Sequence, residues 1–311
     1  MNGGIERRAC DGLENNMIYL LLALSIILAT TNNLFLHGYN NRGLRGLGDI
    51  LLFNFYISCI WIIILFGFNG FTPVSLVTVG WGVLYGCTTA LFLLCKMQAL
   101  ASGSVSITSF VGCSSLLVST AVGVIAFQER VSLLQFIGII FLMAALFLCI
   151  SPKAEASKPA WKLWCMLFFL CSGAVGIIFK FHQTSQNASQ VNGMMLTASI
   201  TSALFFALSS VIISQKQEHN LPRVPKSAIP FIICCGITSC GYNRLNISLT
   251  GQLPSIVVFP VFNGSVILAA SLLSAFIFKE KLSKAQLVAL ILGMTALMLA
   301  AGVGDKLLSL L

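Results

Sequence analysis

Ten apolar runs dominate this chain, and each is long enough to cross about 30 Å of hydrocarbon at roughly 20 residues per crossing. They lie near 17–38, 47–69, 74–99, 102–127, 131–150, 161–182, 190–214, 227–249, 253–278 and 282–303. Polar or Pro/Gly clusters separate them, at Asn40–Gly46, Gly70–Pro73, Ser102–Gly103, Gln128–Arg130, Ser151–Pro159, Gln183–Ser189, Gln215–Lys226 and Thr250–Pro254. No water exists in hydrocarbon to satisfy peptide groups, so such runs fold as helices. The expectation is an all-α polytopic membrane protein with ten transmembrane helices.

Composition agrees. Only 9% of the residues are charged and 57% are apolar, whereas a soluble domain carries about 25% charged residues. The net charge of +9 does not imply a nucleic-acid partner. Most Lys and Arg lie between the apolar runs, where they set topology. Lipid is the expected surrounding, in the plasma (cell inner) membrane. The eleven cysteines show no zinc-type spacing and no redox CxxC; Cys59, Cys87, Cys149, Cys171, Cys234 and Cys235 sit inside apolar runs as small hydrophobes. The first run is longer than a signal-peptide core and lacks a small-residue cleavage site, so it is expected to be retained. No cofactor motif is found. The absence of a GxxxxGK[ST] loop argues against ATP-driven pumping by this chain.

The second constraint is a duplication. Residues 127–148 and 278–299 match at a constant spacing of 151: Phe127/Phe278, Glu129/Glu280, Ser132/Ser283, Gln135/Gln286, Ile140/Ile291, Met143/Met294, Ala145/Ala296, Leu146/Leu297 and Leu148/Leu299. Shared apolarity does not put Glu, Ser and Gln in register, so the match reads as an internal repeat. Ser-x-x-Gln after a charged turn is also a capping box that opens a helix. A second match at spacing 143 aligns Thr30–Asn40 with Gly173–Gln183 and sets His37 against Lys180. The chain divides into an N-terminal tail (1–16), a first five-helix repeat (17–150), a linker (151–160), a second five-helix repeat (161–303) and a C-terminal tail (304–311). Five is odd, so the second repeat is expected to enter the membrane upside down, the inverted-repeat plan of secondary transporters.

Ten helices, the five-helix duplication and Glu-Arg/Lys-x-Ser-x-x-Gln after helices four and nine make the chain resemble the EamA-type family of the drug/metabolite transporter superfamily. The likeness covers roughly 17–303. Val257-Val258-Phe259-Pro260-Val261-Phe262 looks like the proline-bearing segment of the family's ninth helix, and the first half has Ser109 in place of the proline. The resemblance implies movement of small organic solutes such as amino acids and metabolites. It also implies cytoplasmic termini. The Lys/Arg count implies the reverse, because Arg42, Arg45, Lys153, Lys158, Lys162, Lys216, Arg223, Lys226, Lys279, Lys281 and Lys284 all fall on the side opposite both termini.

All nine carboxylates fall at helix ends, loops or tails. The chain therefore lacks a membrane-embedded Glu that could exchange a proton for a lipophilic cation. Embedded cations are present instead, at Lys96, Lys180 and Arg244, with His37 and His182. A charge in hydrocarbon normally faces a cavity or snorkels to the interface. Lys96, Lys180 and His182 lie near helix ends, where snorkelling is the plain reading. Arg244 lies deeper, within Tyr242-Asn243-Arg244-Leu245-Asn246, and is expected to face a cavity and grip a carboxylate with its planar fork, assisted by Lys180.

Asn32, Asn33 and His37 on helix one, Tyr85 on helix three and Asn263 on helix nine complete the expected solute-binding set, with Asn54 and Tyr56 behind them. For the polar turn Thr30–Asn33, solute bonding and helix–helix bonding stand level. Pro260 is the expected hinge. Glu129 is expected to pair with Arg130 at its own turn. The expected function is a secondary transporter, not an enzyme, moving a carboxylate-bearing or zwitterionic metabolite; homodimer formation is compatible with this reading, and a non-transporting scaffold or accessory subunit, then a membrane-embedded enzyme, are the alternatives.

Overall fold

In a computed structural model of the chain, residues 2–40, 47–70, 72–102, 108, 111–112, 114–148, 160–216, 226–277, 284–300 and 302 are described. They form ten α-helices and, among the described residues, no strand. These are α1 (Asn2–Asn40), α2 (Leu47–Asn69), α3 (Leu76–Ser102), α4 (Leu116–Phe127) and α5 (Leu133–Leu148), then α6 (Trp161–Gln183), α7 (Val191–Lys216), α8 (Ile229–Gln252), α9 (Ser255–Ile277) and α10 (Lys284–Ala300). Short 3-10 turns at Ala188–Gln190 and Lys226–Ala228 precede α7 and α8.

Five segments are long and apolar enough to cross a membrane: Asn16–Leu36, Gly48–Asn69, Leu76–Ala99, Trp161–Gln183 and Ala188–Ile212. Shorter apolar helices cover Leu116–Phe127, Leu133–Ala145, Ser255–Ala269 and Ile291–Ala300. α8 is long, at 24 residues, but Thr238, Ser239, Asn243, Arg244, Asn246, Ser248 and Thr250 dilute its apolar character. α1 differs from expectation at its start: it begins at Asn2, so the N-terminal tail continues the helix. Nothing prevents a helix from extending past hydrocarbon, because its peptide groups bond internally.

Local chemistry sets the breaks. Gly70 adopts a left-handed φ of 57° after α2, a conformation that costs glycine little. Ser75 then caps α3, its Oγ accepting the Thr78 N–H at 3.2 Å. Ser132 and Gln135 form the expected reciprocal box, with Ser132 N–H donating to Gln135 Oε1 and Gln135 N–H to Ser132 Oγ, both at 3.1 Å. The corresponding side chains at 283 and 286 lie outside the described residues. Between α8 and α9, Leu253 is extended (φ −118°, ψ 151°), as the residue before a proline prefers.

Helix packing follows a pattern of exchange between the halves. α1 packs along α8 as α6 packs along α3; α3 meets α7 as α8 meets α2; α4 meets α6 as α9 meets α1. The pairs α2/α7, α4/α9 and α5/α10 also pack together. Glycines permit the closest approaches. A Cβ on Gly82 or Gly86 would stand 2.6 or 2.5 Å from the Met194 or Ala198 carbonyl oxygen of α7, and one on Gly138 would stand 2.7 Å from the Ala300 nitrogen of α10. Gly173 and Gly176 likewise admit Val118 and Ser119 of α4. Small residues at helix contacts let backbones pack without a hydrophobic drive, which lipid does not supply.

Candidate functional site

Eight of the ten helices enclose a central cavity of about 390 Å³, within the range of small-molecule sites. α1–α4 and α6–α9 all contribute; α5 and α10 pack on each other outside its wall. Among the described residues the wall mixes aromatic rings (Trp61, Phe92, Phe179, Phe206, Phe259, Phe262) with amides, hydroxyls and one cation, Lys96. At Leu36, Phe53 and Lys96 the cavity approaches the ends of α1, α2 and α3 that adjoin the α1–α2 connection.

The structure brings together Asn32, Asn33, Tyr85, Tyr242, Asn243, Asn246 and Asn263, drawn from α1, α3, α8 and α9. Several of these side chains also tie helices to one another. Asn32 Nδ2 donates to the Cys235 carbonyl at 3.0 Å and to Thr238 Oγ1 at 3.1 Å. Ser25 Oγ donates to Asn246 Oδ1 at 3.0 Å. Helix bonding and cavity lining therefore coexist on α1. Asn54, Asn243 and Asn263 turn their amide nitrogens back onto the carbonyls of Ile50, Ser239 and Phe259 at 2.8–2.9 Å. One of the two N–H donors of each amide is thus used within its own helix. The side-chain oxygens of Asn54 and Asn263, both on the cavity wall, can accept from donors on a ligand.

Two expected site residues fall elsewhere, and the side chain of a third is not among those described. Arg244 is exposed and outside the wall; its Nε donates to Asn192 Oδ1 on α7 at 2.8 Å. The reason is helical phase. Cys235, Ser239, Tyr242, Asn243 and Asn246 share the cavity face of α8, and at about 100° per residue Arg244 projects from the far side. Lys180 is also outside the wall, because its Nζ stands 2.6 Å from Glu129 Oε1, with both side chains 11% exposed. It neither snorkels nor faces the cavity. The side chain of His37 lies outside the described residues.

Two further readings are corrected. Glu129 pairs with Lys180 across 51 residues of sequence, and not with Arg130, which is exposed. Lys96 lines the cavity and does not simply snorkel. Its place near the end of α3 pointed to the interface, while the cavity extends to that depth. Trp161 donates its Nε1–H to Thr108 Oγ1 at 3.1 Å.

The end of the bundle carrying the α2–α3, α4–α5, α6–α7 and α8–α9 connections is closed. Glu129 Oε2 accepts the Ser255 N–H at 2.7 Å and Glu129 Oε1 the Ser255 hydroxyl at 3.1 Å. Lys180 also donates to the Leu253 carbonyl at 3.4 Å and lies 5.7 Å from the Phe127 ring centroid. Phe181 stacks on Trp81 at 6.1 Å and meets Phe127 at 5.0 Å. Ser75 N–H donates to Gln190 Oε1 at 2.9 Å, tying the α2–α3 connection to the start of α7. His182 is buried in the same end, with Nδ1 3.1 Å from Gln183 Nε2.

No family model matches the chain, and no curated protein matches it. A solved structure described only as the crystal structure of a protein superposes on 94% of this chain and 99% of its own, with a TM-score of 0.72 at 14% identity. That likeness shows a shared fold over almost the whole length of both chains.

Proposed function

We propose that the protein is a secondary transporter of the EamA type. It moves a small organic metabolite across the plasma (cell inner) membrane by alternating access between two inverted five-helix repeats. The observation that carries this reading is the cavity. It is built from corresponding helices of both halves, α1–α4 with α6–α9, and is closed at one end by polar and aromatic contacts. The exchange pattern of helix contacts supports the inverted repeat: α1/α8 answers α6/α3, and α4/α6 answers α9/α1. A midplane site between repeats is the transporter arrangement.

The wall supports a reading of the solute class. Lys96 offers a point charge for a carboxylate, the Asn54 and Asn263 oxygens accept from an ammonium or amide, and the aromatic rings cover an apolar body. A carboxylate-bearing or zwitterionic solute of amino-acid size meets all three. The anion-binding role falls to Lys96, since Arg244 faces away.

A thermal-shift screen of the full chain against amino acids, organic acids, sugars and nucleosides tests the class, because a ligand that binds only the folded state raises its melting point. Hits are then followed as flux into protein-loaded vesicles. Binding without flux in any ion gradient leaves a scaffold or accessory subunit; chemical conversion of the solute leaves an enzyme.

A further inference from the structure

We propose that Glu129 is the latch of the closed end, a role that rests on the carrier reading. The left-handed turn at Gln128 (φ 50°) ends α4 and directs the next side chain across the bundle. From there one carboxylate collects three donors: Lys180 Nζ from the last turn of α6, and the backbone N–H and hydroxyl of Ser255 from the first turn of α9. Lys180 extends the contact to the Leu253 carbonyl in the α8–α9 connection. Three separate parts of the bundle are thereby drawn to a single point, one layer beyond the cavity residues Phe179, Val258 and Phe259. Beneath it α4 and α9 already touch, since a Cβ on Gly123 would stand 2.5 Å from Ser255 Cβ.

The chemistry is that of a closure which can reopen. Apolar packing that is separated exposes surface that water does not welcome. A carboxylate and an ammonium that are separated regain hydration, so the net advantage of the pair over its open form is small despite its short geometry. Removing one partner is different. It strands the other charge in a mostly dry place, and the open form, where that charge is wetted, becomes the better state. Removing both charges strands nothing.

That asymmetry sets the test: hydrogen–deuterium exchange of the full chain in lipid nanodiscs, comparing Glu129→Gln, Lys180→Met and the double variant. Each single variant is expected to accelerate exchange by about tenfold or more in peptides covering 128–136 and 253–262, with peptides covering 86–96 and 203–212 unchanged. The double variant is expected to return to within about threefold of the parent, because the two substitutions act on one contact. Unchanged exchange in the single variants overturns the latch. So does equal acceleration of all helices, which would make the pair a part of the fold at large, and so does a double variant that opens further than either single one. The readout needs no solute: a chain that opens as expected and carries nothing separates failure of the carrier reading from failure of the latch.

Discussion

Tyr85 on α3 donates its phenolic hydrogen to Asn243 Oδ1 on α8 at 3.2 Å, a bond across the cavity wall between residues 158 positions apart. Asn243 is itself fixed by the bond from its Nδ2 to the Ser239 carbonyl. The phenol is buried and packs edge-on against Phe179 at 5.0 Å. Tyr85→Phe keeps that ring contact and removes only the donor. It is expected to lower stability by about 0.6 kcal/mol, the average for hydrogen bonds between membrane helices. Thermal unfolding of Tyr85→Phe, Asn243→Ala and the double variant measures the coupling; additive losses would show that the bond contributes nothing.

Lys96 and Arg244 make opposite predictions. Lys96→Met removes the cation among the cavity-lining residues and is expected to weaken an anionic or zwitterionic ligand by about 10- to 100-fold, the range for a charge-assisted bond. Arg244→Ala is expected to leave that affinity unchanged, because the guanidinium is exposed and bonded to Asn192. Isothermal titration with a screening hit distinguishes them, and reversal of the two effects would move the site to the other face of α8.

Gly86 carries a packing prediction. A Cβ there would stand 2.5 Å from the Ala198 carbonyl oxygen, which is backbone and has nowhere to go. Gly86→Val is expected to separate α3 from α7 and to cost about 1–3 kcal/mol. Gly67 and Gly80 have nothing within 4 Å of the same position, so Gly80→Ala is the matched control and is expected to be neutral or slightly stabilising in detergent melts.

Ser132→Ala removes one half of the box that starts α5 and is expected to cost about 1 kcal/mol. Gln135→Ala removes the other half, the bond to the Ser132 N–H. Because both serve one helix terminus, their combined loss is expected to fall short of the sum. Melting curves of the three variants check it.

Pro260 stands inside α9, where it leaves the Ile256 carbonyl without its helical N–H donor. Pro260→Ala is expected to raise the melting temperature while slowing any flux observed in vesicles, since a helix that bends less readily changes state less readily. A faster carrier with a lower melting point would remove the hinge role.

The helices and their breaks were legible because each has a local cause. Ser132-x-x-Gln135 announced the start of α5, Pro254 the end of α8, and Gly70 to Pro73 the end of α2. The polar turn at Asn32 and the cluster from Tyr242 to Asn246 also announced the cavity wall. Arg244 was misread because consecutive residues of a helix point to all sides. In a bilayer, lipid and protein interior are both apolar, so composition does not tell which polar residue faces inward. The Lys180–Glu129 pair left no trace in spacing, as its partners meet through tertiary packing alone. Lys96 was obscured by a short distance, since a lysine one or two turns from a helix end suits either an interface or a deep opening.

The seam formed by α5 and α10 bears on how such a chain can diversify. These helices join the two halves to each other while contributing, among the described residues, none to the cavity wall. Substitutions in that seam leave the described lining of the hollow untouched, whereas wall residues such as Asn32, Tyr85 and Asn246 also bind α8 to α1 and α3 and are less free to drift.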